Sequence, residues 1–324
     1  MVNPYRSARA VARSMLDVAR NTRRKAAVPR DSASEPTFGD FIDRRHEWLF
    51  AHLPEASAAY LHDLHAKDKQ KALARRLGLS VADEYVSHVP LADALEFITS
   101  TPVDHVVLKP VAAKSGNGVF CIVKEDGRYR DLRSEKRFRL DRLRQEAHLS
   151  YAKLRRPDAW MVEELLLPAD GSIRIIDEVK AHCFGGRTEL IMQKGEVGGG
   201  KRGLRFYDRD WQPVTTGRRT ESTIDELTPP PNGAALVEVA ERAATQIPMP
   251  FMRVDLYDTS RGVVLGEFTP GPGGRHAFNA EWTERLTRSW REAAKRLEAA
   301  LANGEMQPLL PDAQSFDEQR ETAA

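Results

Sequence analysis

The chain has 324 residues, 41% hydrophobic and 30% charged, the balance of a heavily solvated globular protein long enough to bury a substantial core. Lys and Arg number 49 against 47 Asp and Glu, a net charge of +2, which excludes a global field of one sign as a basis for binding nucleic acid or anionic membrane. Two cysteines, Cys121 and Cys183, lack metal-ligand spacing and are too few for a disulfide framework; no apolar run approaches the ~20 residues that span a bilayer, and the arginine-studded N-terminus lacks the apolar stretch of a secretory signal, so a cytoplasmic protein is expected.

Residues 1–30 carry Arg6, Arg9, Arg13, Arg20, Arg23, Arg24, Lys25 and Arg30, with Val11, Met15 and Val18 at helical spacing. That predicts a basic amphipathic helix. It suits an arm for peripheral contact with a membrane or nucleic acid, or a helix docked on the body with a solvated basic face; the narrow apolar stripe favours the second. A Ser-rich linker, Asp31 to Pro36, leads into helices expected over Phe38–Leu53 and Ala56–Leu79, which make 31–100 a helical lobe.

From Val103 the texture becomes that of a sheet. "VDHVVLKP", "GVFCIVK" and "AWMVEELLL" are short apolar runs bounded by turn residues, with a charged helical stretch, Leu132 to Leu154, between them. "SIRIIDEVKAHCFGG", "RTELIMQ", "MRVDLYD" and "GVVLGEFTP" continue the strands, and Ala280 to Ala302 reads as an amphipathic helix before a polar tail, 303–324. The result is an α+β chain with a smaller subdomain over 101–165 and a larger one over 166–302.

Three clusters carry chemistry. Lys109 ends a strand before a loop of Lys114, Ser115, Gly116, Asn117, Gly118 and Val119; glycine lets backbone N–H groups approach a phosphate and lysine supplies charge, although an ordinary glycine hairpin has the same composition. Glu163 and Glu164 end an apolar strand that could meet a purine edge through Glu163 and the backbone, with Leu166 nearby. Asp255 and Glu267 lie on two strand-like runs joined by "DTSRG", so a hairpin can bring both carboxylates together as hard ligands for Mg²⁺. Arg253 shares a face with Asp255 by the two-residue strand period and could neutralise an oxyanion there.

Taken in order, a lysine before a Gly-rich loop, an apolar-Glu-Glu strand, an R-x-D strand, a G-E-x-x strand and a Pro-Gly turn resemble the ATP-grasp superfamily, and more closely its TupA-like branch of teichuronopeptide type. The likeness runs from about Glu35 to Trp282 and includes "DK" at Asp68 and Lys69, "KAHCFGG" from Lys180, "YDRDW" at Tyr207 to Trp211, "GEFT", "PGG" and "FNAEW". It implies a fold in which ATP lies between two antiparallel sheets, beside an N-terminal helical region. It further implies an ADP-forming ligase that activates a carboxylate as an acyl phosphate and joins it to an amine, with ATP and Mg²⁺ as cofactors.

By that resemblance Lys69 and Lys109 touch ATP phosphates, 114–119 covers them, Glu163 to Leu166 meets adenine and Glu178 the ribose. Lys180 faces the phosphates, and Asp255, Glu267 and Thr269 form the metal end. Thr269 stands where many ATP-grasp ligases have Asn, which bears on a second metal ion. "KGEVGGGKRGLR", with Lys201, Arg202 and Arg205, suits a mobile basic loop, and Arg275, after the Pro-Gly turn, is a candidate for a substrate carboxylate. A hydroxyl-phosphorylating ATP-grasp kinase and a non-catalytic binder using the basic arm are the alternatives.

Overall fold

The structure is a computed structural model that describes residues 35–64, 66–111, 118–152, 158–196, 202–218 and 227–309. The expected basic helix over 1–30, Lys114, Ser115, Gly116 and Asn117 of the glycine loop, Lys201, the side chain of Arg202 and the end of the tail lie outside the described residues. The chain divides into a unit up to Pro36 and another from Thr37 onward; the fold is that of the second.

The first helix is nucleated by Asp40, whose carboxylate accepts from both the amide and the hydroxyl of Thr37 (2.8 and 2.7 Å), occupying an amide the helix leaves free. One helix was expected over 38–53, but the backbone turns at Arg44 and makes two, Phe38–Asp43 and Arg45–His52. The break sends Phe38 and Ile42 into one core and Leu49 into another. The second expected helix is likewise divided, into Glu55–His62 and Lys67–Arg76.

Within the stretch expected to be helical, β1 (Glu84–Val89) is a strand, followed by the helix Leu91–Ser100. It pairs with a later strand, Trp160–Glu164, with Glu84 opposite Glu163; the ladder supplies what its half-polar sequence does not. Next come β2 (His105–Pro110), β3 (Phe120–Glu125), β4 (Arg128–Asp131), β5 (Lys136–Phe138), the helix Leu140–Ala152 and β6 (Trp160–Glu164). The helix expected from Leu132 thus starts eight residues later, because the β4–β5 hairpin occupies its beginning. These strands form an antiparallel sheet in the order β1-β6-β2-β3-β4-β5.

The larger sheet contains β7 (Glu178–Phe184), β8 (Arg187–Glu196), β9 (Arg202–Tyr207), β10 (Phe251–Thr259) and β11 (Gly262–Thr269), ordered β11-β10-β7-β8-β9. β7 is shorter than its apolar run implied, since 171–177 is irregular. The helix Gly233–Thr245 precedes β10, and Ala280–Ala302 is a helix over the expected span, capped by Asn279, whose side chain accepts from the Trp282 amide at 2.9 Å.

Each sheet covers one face and leaves part of the other for chemistry. Leu91–Ser100 and Leu140–Ala152 pack against Val106, Leu108, Ile122, Trp160 and Val162 of the smaller sheet. Alternate residues therefore point away from these helices: Val107 and Lys109 on β2, Met161 and Glu163 on β6. In the larger sheet Val179, Ala181, Val254 and Leu256 face a core with the helices from Arg45 to Arg76 and Gly233–Thr245, which turns Glu178, Lys180, Arg253 and Asp255 to the opposite face. That face ends at Phe38, Phe184 and Phe251, whose ring centroids lie 5.0–5.5 Å apart, each pair contributing about 0.5–1.5 kcal/mol beyond its burial.

Candidate active site

Asp255 and Glu267 are direct cross-strand partners on β10 and β11. The register shifts once, since Leu256 faces Leu265, leaving Gly266 as the extra residue of a bulge. This interrupts the two-residue rhythm: Leu265 and Phe268 face the core while Glu267 turns to the other side with Asp255. Asp255 is fully buried. Arg253 donates to both its oxygens, from Nε at 2.6 Å and Nη2 at 2.7 Å, and Lys180 Nζ donates to Oδ2. Buried charge of this kind persists only where partners surround it.

Glu267, the cross-strand partner of Asp255, is accessible from solvent. Surrounding protein and then the charge of Asp255 raise its pKa above the ordinary carboxyl value. Thr269 accepts from Arg253 Nη2 at 2.9 Å and hydrogen-bonds the Glu267 carboxylate, so its hydroxyl fixes the pair. Burial opposes the charge on Arg253, but Asp255 beside it raises its pKa overall. Among the described residues no group of three or more metal-ligating His, Cys, Asp or Glu side chains occurs; the donor set here is one buried and one accessible carboxylate.

Lys180 also bonds Glu178 at 2.7 Å, so Glu178 sits in this cluster. His182 lies on the same face, opposite Arg253. Burial, and then the charges of Arg253 and Arg218, push its pKa down to about 3 and keep the ring neutral. Cys121 and Cys183 are both buried, and burial pushes the Cys183 thiol up to about 12, which makes it unreactive.

A second charged group lies on the free face of the smaller sheet. Lys109 pairs with Glu163, and Lys71 bridges Glu163 (3.4 Å) and Glu84 (2.8 Å). Glu84 and Glu163 face each other across β1 and β6, an unfavourable juxtaposition that Lys71 relieves. Beside them Val107, Cys121, Val123, Leu132 and Leu165 form an apolar cluster with Val119 and Ile175 at its margin, and Leu166 is buried next in the chain. Gly118 has φ +68°, and a β-carbon there would lie 3.0 Å from Pro110. The helix Lys67–Arg76 touches both clusters: Lys71 reaches Glu163, while Gln70 accepts from the Phe268 amide at 3.0 Å, one residue from Glu267.

Several expected residues lie elsewhere. Lys69 pairs with Asp63 at 3.7 Å and lies over Tyr60; the lysine of the same helix that meets Glu163 is Lys71, which the sequence reading did not single out. Glu164 accepts two bonds from Arg261 (2.9 and 2.7 Å), and Arg261 also holds Ser80 and the Val81 carbonyl, so Glu164 ties the smaller sheet to the β10–β11 turn. Arg205, expected in a mobile loop, is on β9 and donates to the Leu227 carbonyl at 2.8 Å. Arg275 pairs with Asp43.

The TupA-like ATP-grasp family matches residues 64–290 of the chain. No curated protein matches it. Among solved structures, the ATP-grasp ligase PsnB, complexed with a phosphomimetic variant of its minimal precursor, Mg and ADP, is 15% identical over 78% of this chain and 66% of that one, with a TM-score of 0.43. A D-alanine–D-alanine ligase from Bacillus anthracis is 14% identical over 76% and 71%, with a TM-score of 0.44. VanG D-Ala:D-Ser ligase from Enterococcus faecalis is 18% identical over 77% and 64%, with a TM-score of 0.41. The chain spans less than two thirds of two further PsnB chains, 64% and 62% of their length.

Proposed function

Because the chain belongs to the TupA-like ATP-grasp family, we propose that it is an ATP-dependent carboxylate–amine ligase, forming an amide through an acyl phosphate in the synthesis of a cell-surface polymer or specialised metabolite. The observation that carries this reading is the Asp255–Glu267 pair, held by Arg253 and Lys180 on the free face of one sheet. The lysines gathered on Glu163 stand on the free face of the other. One supplies hard oxygen ligands, the other phosphate-binding cations.

In this reading Val107, Cys121 and Leu165, with the backbone of 163–166, would hold adenine, and Lys109 and Lys71, which pair with Glu163, would supply positive charge to the phosphates. Glu267, and Asp255 once Lys180 turns from its Oδ2 to Glu178, are the residues that would hold Mg²⁺, which would supply charge neutralisation for the transferring phosphoryl group. Arg253 presents a guanidinium where a carboxylate oxygen meets that group, and Thr269 keeps Glu267 oriented. Charge neutralisation and alignment account for most of the acceleration in such transfers, and no side-chain nucleophile is required.

Product analysis tests the reading. With the correct acid the enzyme releases ADP, and hydroxylamine in place of the natural amine traps a hydroxamate. AMP as product overturns the ligase mechanism; ADP with a stable phosphorylated product and no hydroxamate makes the protein a kinase. Lys109→Ala should weaken the stabilisation given by ATP and Mg²⁺ while leaving the fold intact, because Glu163 retains Lys71.

A further inference from the structure

Beyond Thr269 the chain makes a turn in which two glycines lie under guanidinium groups. An added β-carbon at Gly271 would stand 2.9 Å from Arg45 Cζ, and one at Gly274 would stand 2.3 Å from Arg218 Nη2. Arg275, from the same turn, is already matched by Asp43. Arg45 comes from the helix that follows the break at Arg44 and makes one hydrogen bond, to the Ile42 carbonyl at 3.1 Å. Its Nε is buried without a hydrogen-bond partner, and no described carboxylate pairs with it; burial alone lowers its pKa. A guanidinium so placed costs free energy unless an anion reaches it.

The location says which anion. Thr269, bonded to Arg253, is two residues from Gly271, so their α-carbons are at most about 7 Å apart. The turn therefore begins where the reacting carboxylate is proposed to lie. Resting on the reading of Asp255 and Glu267 as the phosphoryl-transfer centre, we infer that Arg45 and Arg218, seated on Gly271 and Gly274, bind a second oxyanion of the acid substrate, which is therefore a dianion carrying another carboxylate or a phosphate. A planar guanidinium meets either group through paired N–H donors.

Calorimetric titration of the full chain, saturated with a non-hydrolysable ATP analogue and Mg²⁺, tests this with three probes: glutarate, 3-phosphonopropionate and butyrate. At least one dianion should bind about tenfold or more tighter than butyrate, and which one does so separates carboxylate from phosphate. Arg45→Gln should abolish that preference while leaving analogue binding unchanged. Gly271→Ala, which keeps Arg45 but displaces it, should do the same, and Arg45→Lys should retain part. Equal binding of the three probes, binding of none, or a preference surviving in Arg45→Gln overturns the inference. If Arg45-dependent dianion binding is found but no acid yields ADP or hydroxamate, the ligase reading fails and the anion site stands.

Discussion

His182 records how the site is charged. As a neutral ring between two arginines it refuses a proton until pH about 3, whereas the unfolded chain accepts one near pH 6.5. Between those values the unfolded state binds more protons, so stability falls as pH falls, by up to about 1.4 kcal/mol per unit. Urea unfolding of His182→Gln should show a flatter acid limb between pH 6.5 and 4; an unchanged slope assigns the loss to other groups. The two carboxylates should differ too. Asp255→Asn takes the carboxylate from Arg253 and leaves Lys180 with Glu178 alone, and should cost about 3 kcal/mol of stability together with turnover. Glu267→Gln alters an accessible group and should lose turnover with little change in melting. Lys71→Ala should reduce nucleotide-induced stabilisation while Lys69→Ala should not. The two lysines are separated by about 200° around the helix, so they face different partners, Asp63 for Lys69 and Glu163 for Lys71, which the residue pattern alone does not reveal.

At the scale of elements, the hairpin carrying Asp255 and Glu267 was legible because a turn-prone stretch joins two strand patterns. The bulge that aligns them was not, since Gly266 announces only a possible irregularity. β1 was hidden for a related reason: "EYVSHV" has little apolar periodicity, and its place at the sheet edge follows from pairing with β6. The break at Arg44 carries no Pro or Gly; its cause is that Phe38 and Leu49 belong to different cores. Arg261 joins the hairpin tip to the Ser80–Val81 segment and Glu164 through contacts distant in sequence. As a partly exposed pair it should contribute at most about 1 kcal/mol of stability. Arg261→Ala should therefore raise the KM for ATP more than it lowers kcat or the melting temperature; a fall in kcat alone would place its effect in the chemical step.

Across the whole molecule the apolar interior is divided. Leu91, Leu95, Leu143 and Trp160 form a core of the smaller sheet, and the larger sheet has its own on each side. Trp48, Trp211, Trp282 and Trp290 all belong to the latter, so Trp160 reports on the smaller body by itself. Without nucleotide, Trp160 should change at lower denaturant than the other four, because the smaller core buries less. A ligand that contacts both bodies should draw the two transitions together. Coincident transitions without nucleotide, followed in Trp160→Phe and the parent chain, would mean that the interface cooperates as strongly as the cores.

The pairing of Lys109 and Lys71 with Glu163 has a consequence for selectivity among solutes. The cleft is not bare positive surface awaiting any anion; an arriving group must displace an internal carboxylate, which then needs somewhere else to turn. Sulfate or free phosphate, making few other contacts, should gain too little for that exchange, whereas a nucleotide bound as proposed would also engage the apolar patch and the opposite sheet. Since the swap releases few mobile ions, nucleotide affinity should decline with added salt less steeply than two unpaired lysines would require, and Glu163→Gln should make the decline steeper while letting simple anions compete.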